Sequence, residues 1–138
     1  MIYCTHIPRS PLSEFVDSFW YHEGYDLPHS MECHLPIGAL ELVFNLHPGC
    51  NGAICRGPSS EPSVLETAQQ SSLIGVHFKP GGAFPFFNLP LSELHNLQVS
   101  LADLWGADAD CIREQLLTAS TVEARFRFLE QALLARLD

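Results

Sequence analysis

Residues 34–49 read HLPIGALELVFNLHPG. Pro36 and Gly38 mark a turn, and after it Leu40, Leu42, Phe44 and Leu46 alternate with Glu41, Val43, Asn45 and His47. A period of two belongs to a strand, whose successive side chains point to opposite faces of a sheet. One apolar row therefore faces a core, and Glu41, Asn45 and His47 share the other side. It is the strongest strand signal in the chain.

Working outward, Phe19–Glu23 is aromatic and extended in character, with Trp20 expected inside, and Gly24 and Pro28 supply its turn. Before it, Ser10-Pro11 predicts a short helix through Leu12, Phe15 and Val16. After the central stretch, the Gly-, Pro- and Ser-rich run from Gly49 to Ser63 reads as loop, with one short strand at Ala53-Ile54-Cys55. LIGVHF at 73–78 is an apolar run closed by KPGG, as a buried strand with a tight turn would be. No helices separate these strands, so a parallel sheet is excluded and an antiparallel β-barrel or sandwich is expected over about residues 1–80.

From about residue 81 to 138 the pattern is helical. Ala83–Phe87 is an aromatic turn expected to plug one end of the sheet and to be covered. Ser100–Asp103 and Ser120–Glu123 have the form of capping boxes at helix starts. In the last helix Val122, Phe126, Leu129, Leu133 and Leu137 make one apolar stripe, and Phe128, Ala132 and Ala135 make a second beside it. Either that helix is buried on two sides, or the second stripe meets another subunit. The fold expected is α+β, one domain over 1–138, with the sheet followed by a C-terminal helical hairpin.

Composition narrows the function. The chain has 138 residues, 46% hydrophobic, with seven Lys and Arg against sixteen Asp and Glu and a formal charge of −9. Such a body repels a phosphate backbone, so DNA is not its direct partner. Met1 is followed by neither a leader pattern nor a membrane-length apolar run, so a soluble cytoplasmic protein is expected. Five cysteines without a leader argue against a disulfide framework. Cys33, His34, Cys50 and Cys55 are the one set of soft donors to weigh for a metal, but they lack the tight CxxC pair of structural zinc sites and read instead as small hydrophobes or loop cysteines.

Catalytic signatures are absent: GxSxG, a phosphate loop, HExxH and CxxC do not occur, and no two histidines are separated by a single residue as in a His-x-His pair. Glu41 with His34 or His77 is the remaining candidate for acid–base chemistry. No catalytic residue, cofactor or metal is assigned. A small-molecule pocket, mostly apolar with few polar groups, would draw on Trp20, His22, Phe44, His77 and Phe78.

LSEFVDSFW at 12–20, HLPIGALELVFNL at 34–46, GP at 57–58, LIGVHFKPGGAFPFF at 73–87, LADLWG at 101–106 and LEQALLARL at 129–137 together resemble the N-terminal regulatory domain of AraC-type bacterial transcription regulators. GVHFKPGGA is the most specific piece, similar to a GxxFxPGG pattern of those proteins. The resemblance implies a cupin-like sheet, an effector-sensing or dimerising role, and a gene product continuing past Asp138 into helix-turn-helix units that contact DNA. Ile37, where relatives often carry an acidic residue, and His77 at a basic position depart from that pattern. The alternative is a stand-alone small-molecule-binding domain or cupin-like metal-dependent enzyme.

Overall fold

The computed structural model describes residues 2–23, 31–34, 40–46, 53–57, 63–66, 72–87, 91–94 and 97–137. Among them run β1 (Ile2–His6), β2 (Val16–Glu23), β3 (Met31–His34), β4 (Glu41–Asn45), β5 (Ala53–Arg56), β6 (Ser63–Glu66), β7 (Leu73–Phe78) and β8 (Gln98–Ser100). Three helices follow: α1 (Leu101–Trp105), α2 (Ala107–Thr118) and α3 (Val122–Arg136). Six strands form one sheet in the order β1-β2-β7-β4-β5-β8, with every neighbouring pair antiparallel. β3 and β6 pair with each other in a second, two-stranded sheet. The fold is α+β.

Among the described residues the large sheet is open, ending at β1 on one side and β8 on the other. The barrel closure expected from the strand pattern is not made by these strands. The helices account for this: an apolar face covered by α2 and α3 is buried without the sheet curling on itself. Phe19 and Tyr21 of β2, Leu42 and Phe44 of β4, Cys55 of β5, and Ile74, Val76 and Phe78 of β7 all enter one core with Ile112 and Leu116 of α2 and Phe126, Leu129 and Leu133 of α3. Period-two alternation then puts Trp20, Val43, Ile54 and Leu73 on the opposite face, where Trp20, Val43 and Leu73 form a second, smaller cluster that Ile54 joins.

Polar contacts tie the helices to the strands. Arg113 Nε donates to the Asn45 carbonyl (2.9 Å), joining α2 to the end of β4. Arg125 of α3 donates from Nη1 to the Tyr21 hydroxyl (2.8 Å) and from Nε to the Leu116 carbonyl (3.1 Å), so one side chain joins β2, α2 and α3. At the β1 edge the His6 ring stacks on Phe19 and Phe126, with centroids 5.9 and 5.5 Å away, and bonds to Glu130 of α3.

Three local expectations need correction. Ser100 caps α1 by backbone alone, because it is still the last residue of β8, paired with Ile54; the capping box with Asp103 does not form. Thr121, not Ser120, caps α3, accepting a bond from the Ala124 amide (3.1 Å). In the aromatic turn Phe86 and Phe87 are buried, but Phe84 is 69% exposed. Phe84–Phe86 is a 3-10 turn, whose three residues per turn point in three directions and cannot all face one core.

Candidate functional site

Strand register lays a polar row across the sheet face that points away from the helices. Ser18 pairs with His77, His77 with Glu41, Glu41 with Arg56 and Arg56 with Gln98, spanning β2, β7, β4, β5 and β8. One step along the strands lies a parallel row of Trp20, Gly75, Val43, Ile54 and Ser100. The side-chain alternation of five strands thus brings polar groups of distant sequence position onto one surface.

Glu41 is the centre of the polar row. It is 3% exposed and Arg56 7%, the buried charged residues among the described set. Glu41 Oε1 accepts from Arg56 Nη1 at 3.2 Å, and Oε2 lies 2.8 Å from His77 Nδ1. Both carboxylate oxygens are therefore engaged. With Nδ1–H donating to Glu41, the neutral imidazole presents Nε2 as an acceptor, and Nε2 has no partner among the described residues. A buried Arg–carboxylate pair gives little net stability over an apolar pair of the same volume, while loss of one partner costs several kcal/mol. Core packing alone does not call for charges here.

Trp20 stands beside this row. Its ring centroid is 5.9 Å from that of His77 and 5.0 Å from that of His22. The indole lies over Gly75: a Cβ there would come within 2.3 Å of Trp20 Cζ2 and 2.5 Å of the Leu42 carbonyl oxygen. Glycine is required by close approach of the ring and the neighbouring strand. Trp20 is 6% exposed, yet its Nε1–H has no hydrogen-bond partner among the described residues. Trp105, by contrast, donates from Nε1 to the Phe86 carbonyl at 3.1 Å.

The five pocket residues picked from the sequence divide between the faces. Trp20, His22 and His77 share the polar face, whereas Phe44 and Phe78 lie in the core under the helices. Of the two histidines considered with Glu41, His77 is in contact with it; the side chain of His34 lies outside the described residues. Arg56 and Gly75 were not legible as site residues. Arg56 follows a loop-like stretch and is recognisable only once β5 is in register with β4; Gly75 looks like any strand glycine until Trp20 is placed over it.

The three residues read as an interface also differ in setting. Phe128 and Ala132 are partly buried against the core of their own chain, and Ala135 is exposed. Ala132 and Ala135 line a groove of about 460 Å³ with Phe86, Cys111, Ile112 and Arg136. Cys55 is fully buried in the helix-side core, where desolvation pushes its thiol up to about 12; Cys50 and the side chains of Cys33 and His34 lie outside the described residues. No group of three or more metal-binding side chains occurs among the described residues. No described helix is long and apolar enough to cross a membrane.

Residues 4–100 match the family described as "Domain of unknown function (DUF6597)". That is more than half of the chain, and the chain belongs to this family. No curated protein matches it.

Proposed function

We propose that this DUF6597 member is the effector-sensing and dimerising domain of an AraC-type transcription regulator, working in the cytoplasm and controlling an appended helix-turn-helix DNA-binding domain. The observation that carries the reading is the face built by Trp20, His77, Glu41 and Arg56, with an unpartnered indole N–H and a buried ion pair on the side of the sheet away from the helical core. Small-molecule sites combine apolar walls with a few fixed polar groups, and this face has both. The two-stranded β3–β6 sheet is the proposed second layer over it, which would complete a cupin-like sandwich.

A route from site to helices follows from strand alternation. Trp20 on the effector face is flanked in β2 by Phe19 and Tyr21, which contact Phe126 and Arg125 of α3 on the other face. An effector that favours one setting of β2 thereby favours one setting of α3, and through it the spacing of two DNA-binding units in a homodimer.

The acidic body supports indirect rather than direct contact with DNA: a charge of −9 opposes binding to a duplex. Two measurements test the reading. The coding sequence past Asp138 should contain two helix-turn-helix patterns, and purified protein should show a saturable thermal shift with a metabolite that is recovered chemically unchanged. A product formed from that metabolite, with metal in the purified protein, would instead support the enzyme alternative.

A further inference from the structure

We propose that the face at Trp20 takes an uncharged planar ligand presenting an adjacent acceptor and donor, as the edge of a lactam or cis-amide does: the acceptor to Trp20 Nε1–H, the donor to His77 Nε2. The inference rests on the reading of this face as the effector site and adds the chemistry of what it binds.

Three observations carry it. First, Trp20 is buried at 6% exposure with its N–H unsatisfied, whereas Trp105 has the Phe86 carbonyl at 3.1 Å. Buried donors are nearly always paired, so the Trp20 N–H asks for an acceptor. Second, His77 Nδ1 lies 2.8 Å from Glu41 Oε2, and in the neutral imidazole held this way Nε2 is an acceptor open to a donor. The two rings are 5.9 Å apart between centroids, near enough for both to touch one small heterocycle. Third, among the described residues of this face Arg56 and Glu41 offset each other's charge at 3.2 Å, and the cluster beside them is apolar, Val43 and Leu73 with Ile54 packed against it. An ionised ligand would bring an uncompensated charge to this surface, at the desolvation cost that a neutral one avoids.

The protein contains two tryptophans, so its ¹H–¹⁵N spectrum carries two indole N–H signals, and the Trp105 signal serves as the reference for an intact fold. The probes are 2-pyridone, N-methyl-2-pyridone, which keeps the acceptor and loses the donor, and benzoate, a charged acceptor. The expected result is a saturable shift of the Trp20 signal with 2-pyridone and none of Trp105. N-methyl-2-pyridone and benzoate should each bind about tenfold or more weakly, since a site built to pair a donor rejects an analogue lacking it. His77→Phe should remove the preference for 2-pyridone over its N-methyl analogue while leaving Trp105 in place. Equal affinity for the two pyridones, or tighter binding of benzoate, overturns the ligand class and leaves the site standing. A Trp20 signal that none of the three moves overturns the site as well.

Discussion

At the residue scale, Glu41 decides most. In Glu41→Gln the buried Arg56 guanidinium loses the Glu41 carboxylate charge, and a loss of about 3–5 kcal/mol is expected in urea unfolding. The double variant Glu41→Leu with Arg56→Met should recover most of that stability and still lose ligand shifts. Gly75→Ala drives a methyl into Trp20 and the Leu42 carbonyl, and should cost about 1–3 kcal/mol by overpacking. Cys55 reports on the core. Its thiol is raised from 9.0 to about 12 by desolvation, so the folded state holds a proton that the unfolded chain releases earlier. The stabilisation from this is complete below pH 9 and is lost as pH rises from there to about 12. At pH 8, thiol labelling followed by peptide mapping should modify exposed Cys111 and spare Cys55 until the protein is unfolded. Glu41 was visible in the sequence as the polar member of an alternating strand, with His77 a candidate beside it, but Arg56 was not: an ion pair across 15 positions depends on register, which no local pattern encodes.

At the element scale, legibility followed the length and regularity of the apolar pattern. β4 and β7 carry continuous apolar or alternating runs and emerged within a residue or two of their observed bounds. β1 and β8 did not emerge, being five residues with mixed polarity and three residues at a helix start. Their strand character comes from pairing with β2 and β5, a tertiary influence that outweighs local preference. The same influence moved the helix caps. Thr121→Ala should destabilise by about 1 kcal/mol because the Thr121 hydroxyl oxygen accepts from Ala124, whereas Ser100→Ala should be close to neutral because its side chain caps nothing. Thermal unfolding of the two variants side by side checks both. Tyr21→Phe removes the hydroxyl that accepts from Arg125, and faster amide exchange confined to α3 is the expected outcome.

At the scale of the whole molecule, the class α+β was readable from an alternating first half and a helical second half, but the closure of the sheet was not. Closure depends on whether strands or helices cover the apolar face, and the sequence shows only that some element must. The acidic charge bears on assembly too, since two copies carrying −9 repel except where apolar surface meets. Phe128→Asp should unfold the chain, because Phe128 packs on its own core, while Ala135→Glu should leave the fold intact and, if the proposed homodimer uses this stripe, shift it toward monomer in sedimentation. The central claim is that the sheet face away from the helices is a binding surface organised around Trp20. Its most direct test is a thermal-shift survey of small metabolites on the wild-type protein and on Trp20→Phe, with the Trp105 signal confirming that the variant folds. Compounds that raise the melting temperature saturably in the wild type should lose that effect in the variant; retention of every shift by Trp20→Phe would contradict the claim.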